Sequence, residues 1–228
     1  MKKYQRYVWL PVPLVMVFLL LSPWMVMAAE PTLGEITTRL QQTYEATVSF
    51  TARFNQKTVL GFNQRAREGQ GTVSIEKSGR MRWDYAEPET QVLVCDGQIF
   101  AMYVAREKQM IVGDARNYLE SDITYAFLSG TGKLERDFVV EAMAATTTGG
   151  EVDKQVYHLK LTPKKAHPQV NFLEIWVNSK TYLVDRLQLV DHFGSVTDLV
   201  FSDIRINQAM PADFFSFTPP AGTEIIEQ

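Results

Sequence analysis

The sequence predicts a mainly β protein of the α+β class, in which a single antiparallel sheet of about eleven strands curls into a barrel or half-barrel. Apolar and polar residues alternate along most segments after residue 48, with the period of two that is typical of strands. Turn sequences such as Ser78-Gly79 and Asp96-Gly97 separate these segments at hairpin spacing. Residues 32–45 and 114–130 instead have the period of helices, which predicts two or three short helices beside the sheet.

Residues 1–28 have the pattern of a cleaved signal peptide. A basic start, an almost continuously apolar run and a Val26-Met27-Ala28 cleavage site follow one another. The apolar stretch 7–29 is also long enough for a membrane anchor, but its prolines and its Ala28-Ala29 end favour cleavage. The expected product is an exported single domain formed by residues 29–228.

The first helix is predicted over residues 32–45. Thr32 and Glu35 have the spacing of a capping box, in which each side chain bonds the other residue's backbone amide. An apolar stripe follows at helical intervals, at Leu33, Ile36, Leu40 and Tyr44. The period then changes to two, and a half-buried strand is predicted with an apolar face formed by Val48, Phe50, Ala52 and Phe54.

Residues 68–103 predict four short strands in an antiparallel meander. Glycines open this stretch, and Ser78-Gly79, Pro88 and Asp96-Gly97 mark its three reversals. Between the first two reversals, large apolar residues alternate with charged ones. The apolar face consists of Met81, Trp83 and Tyr85, and the polar face of Arg80, Arg82 and Asp84.

The remainder of the chain adds helices and further strands. Residues 114–130 predict one or two short helices, with Asp122 as a cap between them and Gly130 or Gly132 as the stop. Residues 144–150 predict a polar loop, and residues 178–181 and 191–194 predict hairpin turns. Strands are predicted over residues 109–112, 133–141, 155–162, 170–178, 183–191, 195–206 and 214–217.

The composition is that of a globular protein, with 46% hydrophobic and 21% charged residues. A formal net charge of −3 argues against nucleic acid or an anionic membrane surface as the partner. Because Cys95 is the single cysteine, an internal disulfide is excluded, and its place on an apolar strand favours a core residue over a reactive thiol.

The sequence lacks the motifs of an enzyme. Its three histidines, His158, His167 and His192, do not have the spacing of a zinc site. A nucleophile elbow and phosphate-binding or dinucleotide-binding loops are also missing. We therefore expect neither a catalytic activity nor a cofactor.

The apolar face of the predicted sheet must be covered, because exposing it to water costs roughly 25 cal/mol per Å². One possibility is a solid core with the helices packed permanently against the sheet. The other is a cavity with a helical lid that admits an apolar ligand when the lid moves. Periodicity alone favours the solid core, since most apolar faces simply pack.

Three stretches of the chain share a pattern with one family. A glycine-rich entry at Gly69 and Gly71 precedes Arg80-Met-Arg-Trp-Asp-Tyr85 and then Val94-Cys-Asp-Gly97. Phe50-Thr-Ala-Arg-Phe-Asn-Gln56 comes before this stretch, and Phe215-Ser-Phe-Thr-Pro-Pro-Ala-Gly222 comes near the end. In this order they resemble the LolA family, the periplasmic carriers of outer-membrane lipoproteins.

The resemblance implies an incomplete barrel covered by a lid of two or three short helices, with a cavity for the acyl chains of a lipoprotein. It implies a monomer in the periplasm that takes acylated lipoproteins from an inner-membrane lipoprotein-releasing ABC transporter and delivers them to an outer-membrane receptor. Two alternatives use a similar fold. One is a scavenger of free fatty acids or other small hydrophobic ligands, and the other is a periplasmic sensor module.

The resemblance also assigns candidate site residues. The lipid-binding candidates are Leu40, Phe54, Met81, Trp83, Leu93, Phe127 and Leu128. In the family, an arginine on the strand before the tryptophan strand bonds the lid when the cavity is empty. Here that position is Lys77, followed by Ser78 in place of the family's proline. An ammonium lacks the planar fork of arginine, so Arg80 and Arg82 are alternative latch residues.

Overall fold

The computed structural model describes residues 30–121, 123–144, 147–148, 151–152 and 155–228. Within it, Pro31–Gln228 form one compact unit. The predicted signal peptide, the Asp122 cap and parts of the predicted loop 144–150 lie outside the described residues. Among the residues described, no helix has the length and apolar character needed to cross a membrane.

The first helix, α1 (Leu33–Ala46), begins with the predicted capping box. The Thr32 hydroxyl accepts a hydrogen bond from the Glu35 amide at 3.3 Å, and the Glu35 carboxylate accepts one from the Thr32 amide at 2.8 Å. The buried side of the helix carries Ile36, Leu40 and Tyr44. Three shorter helices follow later in the chain: α2 (Ala115–Ser121), α3 (Ile123–Leu128) and α4 (Leu134–Asp137).

Fourteen strands are described. They are β1 (Ser49–Val59), β2 (Ala66–Glu76), β3 (Arg80–Glu87), β4 (Gln91–Asp96), β5 (Ile99–Val104), β6 (Gln109–Asp114), β7 (Phe138–Ala142), β8 (Thr147–Thr148), β9 (Glu151–Val152), β10 (Val156–Pro163), β11 (Phe172–Asn178), β12 (Val184–Val190), β13 (Val196–Ile206) and β14 (Glu224–Glu227). Twelve of them form one sheet in the order β14-β6-β5-β4-β3-β2-β1-β13-β12-β11-β10-β7, and β8 and β9 pair separately. The sheet is not closed into a barrel, since β14 and β7 are its two edges.

The structure corrects the expected strands at both ends of the sheet. Strand β14 pairs with β6 in parallel, so the sheet is antiparallel except at this edge. Residues 214–217 do not form a strand, because Ala212–Phe215 form a 3₁₀ turn. In a strand, Phe214 and Phe215 would point to opposite faces, whereas here both rings lie over the same part of the sheet and contact each other at 5.3 Å.

Two further corrections concern single segments. The predicted strand 133–141 begins with helix α4, and the strand follows only from Phe138. Leu134 and Phe138 are four residues apart, which lets one helical turn bury both. Val48 precedes β1 and is 65% exposed, so it does not belong to the apolar face of that strand.

The sheet is covered differently on its two faces. The inner face, which we define as the face carrying the helices, forms the large core with α1, α2 and α3. The outer face of β4–β6 is covered by the C-terminal segment, residues 210–217, whose Phe215 is 1% exposed. The candidate site therefore lies on the inner face, and the C-terminal segment packs on the opposite face of the same strands.

Candidate functional site

The inner face carries continuous rows of apolar side chains that cross several strands. In the first row, Phe50, Ile75, Met81, Cys95 and Phe100 are direct cross-strand neighbours from β1 to β5. Cys95 and Met81 have no exposed surface, and burial raises the pKa of the Cys95 thiol. Cys95 is therefore a core residue, as its sequence context predicted.

The second row lies one pleat further along the same strands and is less covered. It runs from Trp83 through Leu93 and Met102 to Ile111. Trp83 is buried, whereas the other three side chains are half-buried. We call Leu93, Met102 and Ile111 the inner strip. It is an apolar surface on the helix side of the sheet that remains open to solvent, which makes it accessible to an apolar ligand.

Aromatic rings connect the inner strip with the middle of the sheet. The ring of Phe54 lies 4.9 Å from the rings of both Trp83 and Tyr85, edge-on in each case. Such edge-to-face pairs contribute about 0.5–1.5 kcal/mol beyond the burial of their area. These three aromatic side chains are therefore tightly packed against one another.

The helices cover the first row through apolar contacts. Tyr118 of α2 stacks on Phe100 at 4.0 Å, and Tyr44 of α1 contacts Phe127 of α3 at 5.2 Å. Leu40 of α1 and Leu128 of α3 are fully buried. The contacts are non-directional, so the same surfaces can pack against other apolar groups.

Polar contacts also attach the helices to the sheet. The Tyr44 hydroxyl accepts a hydrogen bond from the Val184 amide at 3.1 Å, and burial raises the pKa of that hydroxyl. The Lys77 ammonium donates to the carbonyl oxygen of Glu45 in the last turn of α1. Burial likewise raises the pKa of Tyr125, whose hydroxyl interacts with Ser129 and the backbone of Gly79.

Helix α1 and the end of α3 approach each other closely at Gly130. This residue has φ of +68°, and a Cβ atom there would lie 2.4 Å from the Tyr44 carbonyl oxygen. Glycine satisfies both constraints, since it adopts positive φ and leaves room for the neighbouring backbone. The predicted stop at Gly130 is thus confirmed, and it also sets the distance between the two helices.

A pocket of about 320 Å³ opens between the helices and the β7–β10 edge of the sheet. Its apolar lining includes Leu40, Tyr44, Ile123, Phe127, Leu134 and Phe138. Its rim carries the charged or polar side chains of Arg136, Asp137, Lys164, Lys165 and His167. Pockets for drug-sized ligands span about 300–1,000 Å³, so this one lies at the lower end of that range.

The predicted lipid-binding residues fall into three places. Leu40 and Phe127 line the pocket. Leu93 belongs to the inner strip. The remaining candidates are buried between sheet and helices: Phe54, Met81, Trp83 and Leu128.

The latch candidates separate onto two faces. Lys77 reaches helix α1, whereas Arg80 and Arg82 lie against the C-terminal segment. Arg82 pairs with Asp84 at 2.8 Å and donates to the Phe214 carbonyl at 2.9 Å. Because side chains alternate along a strand, those of residues 80 and 82 point to the outer face, whereas that of residue 81 points to the inner face.

Sequence reasoning missed several residues around the pocket and the inner strip. Leu134 and Phe138 were assigned to one strand, although their spacing of four residues was a helical signal. Met102 and Ile111 lie on short apolar strands where alternation is weak. Their place on the inner face follows from pairing with Leu93, which no local pattern specifies.

The walls of the pocket and the inner strip are apolar, and charged side chains are confined to the pocket rim. Among the residues that the structure describes, no cluster of histidine, cysteine or carboxylate side chains has the geometry of a metal site. Every buried side-chain nitrogen or oxygen in the same residues has a hydrogen-bond partner.

Comparison with known proteins places these features in a family. Residues 45–218 match the profile described as "Outer membrane lipoprotein carrier protein LolA". An outer-membrane lipoprotein carrier protein of Nitrosomonas europaea is 32% identical over 180 residues, which cover 78% of this chain and 82% of that protein. A protein of the same name from Dechloromonas aromatica is 29% identical over 175 residues, 77% of this chain and 79% of that protein.

A solved structure is similar in fold alone. An uncharacterized conserved protein from Thermus thermophilus superimposes with a TM-score of 0.53, covering 86% of this chain and 98% of that one. The two sequences are 11% identical. The open sheet with its helices is therefore an architecture that distant sequences share.

Proposed function

Because this chain belongs to the LolA family of outer-membrane lipoprotein carrier proteins, we propose that it carries lipoproteins through the periplasm by enclosing their acyl chains. The carrier is the single domain formed by residues 29–228, released from its signal peptide and acting as a monomer. It works by binding and release, without a catalytic step. The observation that supports this proposal is an apolar inner face covered by helices that pack on it with apolar side chains.

The cargo requires such a surface. Each CH₂ group that leaves water stabilises the buried state by about 0.8 kcal/mol, so an acylated protein remains in the membrane or aggregates unless a carrier buries its chains. The carrier must also release the chains afterwards. Apolar walls without a charged anchor provide contact that is strong in sum but has no fixed geometry.

The helices act as a lid in this proposal. The pocket of about 320 Å³ is too small for several acyl chains at once, so loading requires α1 and α3 to move away from the sheet. The chains then pack against Leu40, Phe127 and Leu128 on the helices. On the sheet they contact Phe54, Met81, Trp83 and Leu93, and the inner strip is the part of this surface that is only half-buried before the lid opens.

Lys77 is the proposed latch. Its bond to the Glu45 carbonyl joins the β2–β3 turn to the last turn of α1, where the helix dipole favours a cation. The bond is accessible to water and therefore weak enough to break when cargo arrives. Arg80 and Arg82 have a different role, since both hold the C-terminal segment on the outer face.

The proposed partners lie at the two membranes between which the lipoprotein is carried. An inner-membrane ABC transporter supplies the lipoprotein, and an outer-membrane receptor accepts it. Each transfer is favourable when the next apolar site binds the chains more tightly than the previous one.

Native mass spectrometry of the processed protein tests this function. The protein is incubated with a purified triacylated lipoprotein and, separately, with a free fatty acid. A one-to-one complex with the lipoprotein that fatty acid displaces poorly is the expected result. Binding of the fatty acid alone would indicate a scavenger of small hydrophobic ligands, and binding of neither would reduce the inner face to an ordinary core.

A further inference from the structure

Two phenylalanine rings are exposed at one end of the molecule. Phe62 is 80% exposed on the β1–β2 turn, and Phe193 is 84% exposed on the β12–β13 turn. Single exposed apolar residues are ordinary on a protein surface. These two are the most exposed large apolar side chains among the described residues, and they lie on turns that touch each other.

The contact between the turns is close and fixed. The Gly61 amide donates to the Ser195 hydroxyl at 3.2 Å. A Cβ atom on Gly61 would lie 2.1 Å from the Phe193 carbonyl oxygen, so any larger residue would separate the two turns. We call residues 60–65 and 191–195 together the aromatic tip.

Each turn is also rigid by itself. In the first, the Leu60 amide bonds the Arg65 carbonyl at 3.0 Å, and the Gln64 amide bonds the Leu60 carbonyl at 2.8 Å. In the second, the Asp191 carboxylate accepts from the amides of Phe193 and Ser195 at 2.7 and 2.8 Å. Partial burial opposes the charged form of Asp191, but these bonds outweigh it and hold its pKa below the usual range. The exposed rings are thus held in place by ordered turns.

Basic side chains surround the aromatic tip. Arg65 and Arg67 are exposed on the first turn and at the start of β2, and neither is in an ion pair of the described residues. Exposed Lys164 and Lys165 lie on the β10–β11 loop, where the Lys164 ammonium donates to the Glu135 carbonyl of α4. That loop meets the tip where the His192 ring bonds the His167 carbonyl at 2.8 Å. On the two turns and the start of β2, the acidic groups are engaged, since Glu68 pairs with Lys57 at 2.9 Å and Asp191 bonds its own turn. Further along the sheet, Glu87, Glu89 and Glu107 line the same surface pocket as Arg67.

We propose that the aromatic tip inserts into the interface of an anionic phospholipid membrane, with Phe62 and Phe193 entering the headgroup–acyl boundary and Arg65, Arg67 and Lys165 facing the headgroups. Exposed aromatics beside basic residues are the combination that binds such interfaces. The net charge of −3 predicted otherwise, but it is a sum over the whole chain and does not describe where charges lie, whereas basic side chains cluster at this end. Two turns are also a small area for a protein partner, since specific interfaces bury about 1,200–2,000 Å².

The position of the aromatic tip indicates a role for the membrane contact, and this role rests on the proposed carrier function. Lys164, Lys165 and His167 belong to the rim of the apolar pocket, and His167 also bonds the tip. A membrane held by the tip would therefore lie close to the pocket opening. Acyl chains could then pass between bilayer and pocket with little exposure to water.

Vesicle co-sedimentation of the processed protein tests the proposal, with loss of residues 1–28 verified by intact mass because that apolar segment would itself bind lipid. The wild type is expected to bind vesicles of phosphatidylglycerol and phosphatidylethanolamine. The double variant Phe62→Ser/Phe193→Ser is expected to bind at least tenfold more weakly. Arg65→Gln/Arg67→Gln should weaken binding to these vesicles and reduce its salt dependence, with little effect on neutral phosphatidylcholine vesicles.

Val200→Ser is the matched control, because Val200 is 42% exposed on the outer face, away from the tip, and its loss should leave vesicle binding unchanged. The proposal is overturned if the wild type does not bind vesicles or if the double phenylalanine variant binds like the wild type. A third outcome would also overturn the proposal. If the wild type does not bind vesicles and the double phenylalanine variant loses lipoprotein transfer between proteins, the aromatic tip binds a protein partner. Lipoprotein uptake is measured in parallel, so a failure of uptake with intact vesicle binding counts against the carrier function alone.

Discussion

The hydroxyl of Tyr44 and the amide of Val184 form a hydrogen bond of 3.1 Å inside the core, between helix α1 and the first residue of β12. Tyr44 is 2% exposed and Val184 is fully buried, so water cannot replace either partner. The same tyrosine ring packs against Phe127 of α3. One side chain therefore connects two helices of the lid to the sheet that they cover.

Replacing Tyr44 with phenylalanine should destabilise the closed protein. The ring contact is kept, but the Val184 amide becomes a buried donor without a partner, which costs about 1–3 kcal/mol. Chemical denaturation measures this loss, and hydrogen exchange should become faster at Val184. Tyr182→Phe is the matched control: its hydroxyl accepts a longer 3.3 Å bond from Arg39, whose guanidinium can turn to water instead. Equal losses in the two variants would contradict a special role for the Tyr44 bond.

Leu93→Glu should abolish acyl-chain binding and leave the protein folded. Leu93 is a half-buried member of the inner strip, so a carboxylate there can reach water in the empty protein. Bound acyl chains would cover that carboxylate, and burying an unpaired charge costs far more than a cavity wall contributes. Binding is measured by native mass spectrometry and folding by circular dichroism.

The outer face supplies the control for that variant. Val200→Glu places the same charge on a side chain that is 42% exposed and faces away from the helices, and it should bind cargo normally. Unchanged binding by Leu93→Glu, or its unfolding, would remove Leu93 from the proposed binding surface.

Lys77→Leu should slow cargo release more than it changes loading. The variant loses the bond between the Lys77 ammonium and the Glu45 carbonyl, so the empty closed form loses stability relative to the loaded form. One such bond contributes about 0.5–1.5 kcal/mol, which corresponds to about a 2- to 10-fold change in release. Transfer from the loaded protein to an acceptor vesicle or receptor, followed over time, gives the two rates.

Lys133→Leu is the comparison for the latch. Lys133 bonds the Glu45 carboxylate from the loop after α3, so it joins two parts of the lid and does not attach the lid to the sheet. Its replacement should leave release unchanged. Equal effects of the two substitutions would show that the Glu45 region matters only as a charged surface.

The sequence was informative where the structure depends on local patterns. Thr32 and Glu35 predicted the start of α1, and the alternation around Met81 and Trp83 predicted the inner face. Pairings between distant segments were not predictable. The parallel contact of β14 with β6 joins residues such as Glu224 and Gln109, and no periodicity within either segment specifies its partner.

The same limit applied to the candidate site. Arg80 and Arg82 were considered as alternative latch residues because the ammonium of Lys77 lacks the planar fork of arginine, yet the C-terminal segment occupies their face of the sheet. That segment was predicted to be a strand, so its packing over β4 could not be anticipated. The exposure of Phe62 could not be predicted from the sequence either, since an apolar residue in a turn is not part of a periodic pattern.

Arg82→Ala should release the C-terminal segment from the outer face. The guanidinium donates to the carbonyl oxygens of Phe214 and Ser216 at 2.9 and 3.2 Å, and these charge-assisted bonds together contribute about 2–3 kcal/mol. Limited proteolysis or hydrogen exchange should show loss of protection in residues 210–217. Arg186→Ala is the control, because its bidentate pair with Asp198 lies within the sheet and touches no part of that segment. Unchanged protection in Arg82→Ala would mean that Phe215 alone holds the segment in place.

Acidification should weaken the pocket rim through Asp137. This carboxylate accepts bonds from the Arg136 side chain at 2.6 and 2.8 Å and from the Lys133 amide at 2.8 Å, and these partners hold its pKa below the usual range. Because the folded protein favours the charged form, this stabilisation is complete above the ordinary aspartate pKa of about 4 and is lost as the pH falls through the lowered value.

Asp137→Asn should therefore melt at a lower temperature than the wild type at pH 7, and the difference should shrink below about pH 4. Thermal unfolding of both proteins between pH 7 and pH 3 provides the measurement, with Asp213→Asn as a control for an exposed carboxylate. A difference in melting temperature that is constant across this range would show that the Asp137 charge does not support the rim.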